Sequence, residues 1–325
     1  MALYPTLLYR VDAVNWVIYS YQLPLVTGKV RDGLILCLDD QWGEIAPLPG
    51  RSQETLKEAL GQLLTLLRGG KVDIPLLPSV QFGLESALST QLEPITAPLY
   101  ALLSGSPDEI FRQAEIAAQQ KYTIVKVKIA SFSLDVAKEV IATLHKQFRI
   151  RIDCNSAFSY NDAIALFSHF DKAIFDYIED PTFEWDRLSD FTHPFALDET
   201  VLHYRQLPLN TYPELYGFIL KPTILGGKQG CTPFIEYAQK HHLKIVFSPS
   251  FESGLGLYHI LRLAKEFNLE SAPLGLDTYR HLKEDLLTPC IDFNTPKITI
   301  ATTPVVNTQM LTEIAHGKCD LSHFR

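Results

Sequence analysis

From about Ala97 the sequence settles into a repeat of short apolar segment, loop and helical stretch that continues to about residue 276. The apolar segments are 99–103, 123–129, 149–153, 173–179, 195–198, 217–221, 244–248 and a short last one at 273–276. Helical patterns lie between most of them, as in 134–147 and 254–267, where apolar residues recur at three- and four-residue spacing. Strands joined by helical crossovers run parallel, and eight of them favour closure, so the expected class is α/β with a TIM-like barrel. A doubly wound open sheet is the alternative topology, but no GxGxxG follows the first strand to support it.

The residues before this repeat follow another pattern. Segments 7–24 and 33–46 are rich in Val, Ile, Tyr and Trp and are broken by Thr27-Gly28 and Asp39-Asp40-Gln41, which predicts an antiparallel meander. Ser52-Gln53-Glu54-Thr55 then opens a helical pattern carrying Leu56, Leu60, Leu63, Leu64 and Leu67, and a second helix is expected after Pro78-Ser79. Strands followed by helices predict a small α+β lobe. The expected division is a capping domain over 1–96, a barrel over 97–290, and a segment over 291–325 that returns to the capping domain through 298–300 and 310–314.

Composition narrows the partners. The length of 325 residues suits a barrel of roughly 250 residues plus an extra lobe. No apolar run approaches the ~20 residues that span a bilayer. The opening MALYPTLLYRVDAV lacks a basic stretch followed by a long apolar block. Cys37, Cys154, Cys231, Cys290 and Cys319 are scattered without a CxxC pair, a pattern of reduced thiols in a cytoplasmic protein. The net charge is −8 and no Lys/Arg cluster interleaves with aromatics, which argues against nucleic acid and for a small-molecule substrate.

In a parallel barrel the catalytic groups sit at the C-terminal ends of the strands. Along 123–129 the residues Val125, Val127 and Ile129 share one face, and Lys126 and Lys128 share the other. The outer face must pack on helices, so both lysines point inward, where burial is costly unless something there requires them. Each of the next three strands ends in a carboxylate: Asp153, with Arg151 on the same face; Glu179, before the turn at Asp180-Pro181; and Asp198. Three such groups converging would repel each other, and a hard cation resolves this; carboxylates and water are the ligand set of Mg²⁺, with Mn²⁺ as a substitute. The next strand ends in Lys221, across the barrel from Lys128. Taken singly, an acid at a strand end is more often a helix cap or turn former, and a KxK is as often an exposed edge. The order on successive strands, K-x-K, Asp, Glu, Asp, Lys, is what carries the argument.

That order resembles the enolase superfamily in its branch with two catalytic lysines. The residues carrying the likeness are Lys126-Val127-Lys128, Arg151-Ile152-Asp153-Cys154-Asn155, Ile178-Glu179-Asp180-Pro181, Leu197-Asp198-Glu199-Thr200, Leu220-Lys221-Pro222, Ser250-Phe251-Glu252-Ser253 and Gly275-Leu276-Asp277-Thr278. The resemblance covers essentially the whole chain and implies a (β/α)7β barrel, an N-terminal α+β capping domain and a tail that completes it. It implies Asp153, Glu179 and Asp198 as Mg²⁺ ligands, with Lys128 and Lys221 as the acid/base pair. The reaction it implies is dehydration of a cyclohexadiene carboxylate with a succinyl arm, with Lys128 as the base. Cys154 stands where the family usually has Ala, and Phe158 where Trp is common.

Lys126, Arg151 and Asn155 are expected to support the site, although Arg151 suits a buried charge partner equally well and Asn155 a turn. Arg51, in the Pro/Gly loop over 48–52, together with Ser250 and Gly275, are candidate substrate contacts. Gly28 is expected in a second loop able to close over the barrel mouth. Glu199 is expected on the face opposite Asp198, behind the ligands or at the start of a helix, and His193 and His259 as structural or exposed residues. Three other functions fit parts of the pattern. An N-acylamino acid racemase would use both lysines as a two-base pair. A Schiff-base aldolase would use one lysine and leave three carboxylates without a role. A non-catalytic barrel would only bind.

Overall fold

The computed structural model describes residues 13–72, 75–89, 94–206, 209–300 and 304–320. Strands β1 (Val14–Pro24), β2 (Val30–Leu38) and β3 (Gln41–Ile45) form the antiparallel meander, followed by helices α1 (Leu56–Leu67) and α2 (Pro78–Leu88). The part of the first expected strand over 7–12 lies outside the described residues. Helix α1 begins where Thr55 accepts the Glu58 backbone N–H at 3.3 Å and the Glu58 carboxylate returns to the Thr55 N–H at 2.7 Å. Ala59, Leu63 and Leu67 then bury one face of α1 against the sheet. Removing this cap through Thr55→Ala is expected to cost about 1 kcal/mol. A fall in the urea midpoint with unchanged specific activity would confirm it. Helix α2 packs directly on β3: a Cβ at Gly43 would lie 2.0 Å from the Gly83 carbonyl oxygen, so the close approach requires glycine.

The barrel follows. Strand β4 (Ile95–Pro98) leads in. The parallel strands are β5 (Ala101–Leu103), β6 (Ile124–Lys128), β7 (Arg149–Asp153), β8 (Phe175–Glu179), β9 (Phe195–Leu197), β10 (Leu215–Leu220) and β11 (Lys244–Phe247). They form one seven-stranded sheet in sequence order. The crossovers include α3 (Pro107–Gln119), α4 (Leu134–Leu144), α5 (Tyr160–Phe167), α6 (Pro222–Leu225), α7 (Gly227–Lys240) and α8 (Gly254–Glu266). Ser106, Ser133, Ser159 and Ser253 cap α3, α4, α5 and α8. Alternation holds along the strands: Val125, Val127, Ile150 and Ile152 face the helices in the main core. Tyr100, Tyr177, Ala196, Ile219 and Val246 form a separate cluster.

The segment expected as an eighth strand differs from the sequence reading. It contributes a single parallel bridge, Leu99 to Leu274, rather than a strand. Leu274 N–H donates to the Pro98 carbonyl at 2.9 Å and Gly275 N–H to Phe247 at 3.3 Å, so these two residues join the sheet's first and last edges. The next segment turns at once into a 3-10 helix over Asp277–His281, which leaves no length for a ladder.

Two late strands tie back. β12 (Lys297–Ile300) pairs antiparallel with β4, and β13 (Thr312–Cys319) pairs antiparallel with β1, giving a four-stranded sheet of order β13-β1-β2-β3. The capping sheet docks on the barrel through the buried Glu44 of β3. Its carboxylate accepts the Ser253 N–H at 3.0 Å and hydroxyl at 2.6 Å and the Gly256 N–H at 2.7 Å, so one domain supplies a negative cap to a helix of the other. Among the described residues no helix is long and apolar enough to cross a membrane.

Candidate active site

The register of the parallel ladder places the charged residues side by side. Lys128 pairs with Asp153 across β6 and β7, and Asp153 with Glu179 across β7 and β8. Asp198 and Lys221 sit one residue beyond the ends of β9 and β10. The strands therefore bring the five expected catalytic and metal-binding positions to one end of the barrel, beside a cavity of about 550 Å³. Lys126, Lys128, Asp153, Asp198 and Lys221 line that cavity. Glu179 lies beneath them, fully buried.

Lys126 is also buried. Its ammonium bonds Glu179 and lies 3.0 Å from Asp153. Burial alone would lower its pKa, but the two carboxylates outweigh it and hold the proton firmly. The same lysine, with Lys128, keeps Asp153 below its ordinary range despite burial. Glu179 moves the other way: burial pushes it up to about 8, Lys126 opposes this, and the charges of Asp153 and Asp198 add to the rise. Lys221 bonds Asp198 and lies 3.3 Å from Glu199; these carboxylates raise its pKa against the opposing effect of burial. Lys128 differs from the sequence expectation of a buried amine. Its side chain is 46% exposed, with Nζ 3.6 Å from Asp153, because the strand ends there and the side chain reaches into the mouth.

Tight turns fix the strand ends. Asn155 adopts φ 45° and donates from Nδ2 to Asp153 Oδ1 at 2.6 Å, so it serves both as turn former and as support. Asp180, at φ 40°, accepts the backbone N–H groups of Asp198 and Thr200, each at 3.2 Å. Arg151 does not reach Lys128. It donates to Asp176 at 2.8 Å and to the Pro273 carbonyl at 2.9 Å, with its guanidinium between the rings of Tyr100 and Tyr177. It is thus a buried charge partner below the reactive layer.

Of the candidate substrate contacts, Arg51, Ser250 and Gly275 all line the cavity. The Ser250 hydroxyl is buried without a hydrogen-bond partner. A Cβ at Gly275 would lie 1.8 Å from the Tyr100 hydroxyl, so only glycine fits this part of the wall. Gly28 is not among the lining residues; its turn is bonded to one of them, with Val26 N–H donating to the His281 carbonyl at 2.8 Å. His193 packs among Phe167, Phe175 and Phe191, and His259 is buried in α8, so neither touches the cavity. Glu199 opens a 3-10 helix over Glu199–Gln206, as expected of a helix-start residue, but its face differs from the sequence reading: it lines the cavity and also pairs with Arg51 at 3.3 Å. Strand alternation placed it on the far face, but β9 ends at Leu197, so the rule no longer applies there. Tyr100 also lines the cavity; the alternation of the 99–103 segment carried that signal.

The donor set suits a hard cation. Asp153, Glu179 and Asp198 supply carboxylate oxygens only, and Glu179 Oε1 is buried with no hydrogen-bond partner. Among the described residues no three acidic, His or Cys side chains are gathered into a finished metal cage. The ammonium groups of Lys126 and Lys221 lie among the carboxylates and neutralise them.

A closed parallel barrel with carboxylates on successive strand ends and lysines on both sides of its mouth defines a metal-assisted acid/base enzyme of the enolase type. Residues 14–91 match the family model "MenC, N-terminal domain" and residues 109–304 match "Enolase C-terminal domain-like". An o-succinylbenzoate synthase from Pasteurella multocida is 31% identical over 313 residues, covering 84% of this chain and 91% of that one. An enolase superfamily member from Roseovarius nubinhibens complexed with magnesium has a TM-score of 0.76 at 17% identity, covering 94% of this chain and 99% of that one. The o-succinylbenzoate synthase from Thermosynechococcus elongatus, with magnesium in the active site, has a TM-score of 0.67 at 23% identity, covering 84% and 95%. The chain belongs to the o-succinylbenzoate synthase family of the enolase superfamily.

Proposed function

We propose that this chain is a magnesium-dependent o-succinylbenzoate synthase, a hydro-lyase of menaquinone or phylloquinone biosynthesis. In this reading Asp153, Glu179 and Asp198 hold the cation, and Lys128 and Lys221 flank the substrate. The reading rests on family membership and on one arrangement: lysines at the ends of β6 and β10, separated by three strands that each carry a carboxylate.

The substrate, 2-succinyl-6-hydroxy-2,4-cyclohexadiene-1-carboxylate, loses the proton α to its carboxylate and the neighbouring hydroxyl. A C–H and a C–O bond break, a ring double bond forms, and water leaves. Bound at the three carboxylates, Mg²⁺ supplies positive charge to the substrate carboxylate as negative charge develops there. Lys128, in its neutral form, accepts the carbon-bound proton. It then delivers that proton to the departing hydroxyl on the same face, a syn elimination that returns Lys128 to its starting state. Lys221 keeps its proton, because two carboxylates hold it, and places positive charge on the opposite face. Lys126 neutralises Glu179 and Asp153 from below.

A second reading draws on the same placement of Lys221. A two-base N-acylamino acid racemase also needs lysines on opposite faces. A Schiff-base aldolase has no use for the carboxylates, and borohydride would trap it. A non-catalytic barrel would turn over nothing. The deciding experiment assays purified protein on the cyclohexadiene substrate and on N-succinyl amino acids, with and without Mg²⁺. Metal-dependent dehydration supports the proposal, and its absence overturns it.

Arg51 extends from the loop over the mouth to Glu199 and is half-exposed. If it contributes uniform substrate binding, Arg51→Ala should raise KM by about tenfold while kcat changes less. An unchanged KM would return the loop to the role of an ordinary surface turn.

A further inference from the structure

Arg31 is a charged residue buried to 3% exposure in the capping sheet. Among the described residues, all of its hydrogen bonds run to main-chain carbonyls. Nε donates to Phe251 at 3.0 Å; Nη1 donates to Pro47 at 2.8 Å and to Asp32 at 3.3 Å; Nη2 donates to Ala46 and to Ser250 at 3.4 Å. The five N–H groups of a guanidinium are thus all used.

Asp32 is the neighbouring residue on β2, and the other four carbonyls belong to two separate loops. Ala46 and Pro47 begin the capping loop whose Gly50 and Arg51 line the cavity, and Ser250 and Phe251 line it from the barrel. Phe251 sits at φ 63°, a left-handed conformation that is unfavourable for a side-chain-bearing residue and persists only when neighbours hold it. Its carbonyl is the one that receives the Nε bond.

We propose that Arg31 is a positioning residue that ties the capping loop 46–52 and the barrel loop 248–253 into one unit, so that the cavity's two walls move together. The proposal rests on the reading of this cavity as the substrate site. A lysine cannot replace Arg31, because a single ammonium has three donors at one point and cannot span both loops.

Glu44 provides the comparison. It bridges the same two domains, but its partners are Tyr21, the N–H and hydroxyl of Ser253 at the last position of the barrel loop, and Gly256 of α8, not the loop carbonyls that Arg31 holds. A purely structural role for Arg31 would make the two residues behave alike.

The test uses the full chain. Arg31→Lys is expected to raise KM for the cyclohexadiene substrate by about tenfold while changing kcat less than about threefold. Amide exchange should rise in 46–52 and 248–253 together. Glu44→Gln should lower Tm and leave KM at the wild-type value. A folded Arg31→Lys protein with wild-type KM, or with faster exchange in only one loop, overturns the proposal. If Arg31→Lys does not fold, wild-type exchange decides. Titrating o-succinylbenzoate with Mg²⁺ should protect both loops with one concentration dependence, and protection of one loop alone overturns the tie. Wild-type protein that dehydrates nothing would sink the assigned reaction, whereas the exchange comparison on ligand-free protein would still judge the tie between the loops.

Discussion

Lys128→Ala is expected to abolish dehydration, lowering kcat by about 10³-fold or more, since a positioned general base contributes roughly 10²–10⁴-fold. Lys128→Arg should be nearly as impaired, because a guanidinium does not act as a base near neutral pH. The side chain is half-exposed at the cavity mouth and, among the described residues, makes one ion pair, so neither change should unfold the barrel. Lys221→Arg separates the two lysines. It preserves the charge opposite Lys128 without a dispensable proton, so partial dehydration should survive. Any racemisation of N-succinyl amino acids, which needs proton transfer on both faces, should vanish. Equal large losses in both activities would show that the one-base scheme is wrong. Solvent deuterium still entering the substrate's α position in Lys128→Ala would place the base on another strand.

Asp198→Asn should have an effect of similar size through a different route. If Asp198 is a cation ligand, the change weakens Mg²⁺ binding, and the several kcal/mol of charge stabilisation that a bound metal supplies would be lost, on the order of 10³-fold in rate at limiting metal. Calorimetric titration with Mg²⁺ provides the direct measure, and circular dichroism should show an intact fold. Full activity of the wild-type protein in excess chelator would refute the metal assignment altogether.

The parts of this site that were legible in the sequence are those governed by strand periodicity. Val125, Val127, Ile150 and Ile152 mark the outer face, which leaves Lys126, Lys128, Arg151 and Asp153 inside. Where the ladder ends, periodicity stops informing. Glu199 was misplaced for that reason, and the burial of Lys128 was overestimated for the same one. The 273–276 segment carries enough apolar residues to suggest a strand, but its contribution to the sheet is one bridge and the adjacent Gly275 bond, which composition does not encode. Arg31 and Glu44 carry no signal in the local sequence. The partners that join them to the barrel lie more than two hundred residues away and include main-chain carbonyls and N–H groups, so no local motif announces them.

The pairing of β1 with β13 has a consequence during biosynthesis. Val14 faces Cys319, so β1 meets this neighbour only after the 305 positions that separate the two residues have been made. At about 5–20 residues per second, that interval is about 15–60 s. Throughout it, one side of β1 presents unpaired backbone donors and acceptors, the kind of edge that invites pairing between nascent chains. Slower elongation lengthens that exposure, so the yield of native protein should depend on translation rate and on chaperones that shield the capping sheet.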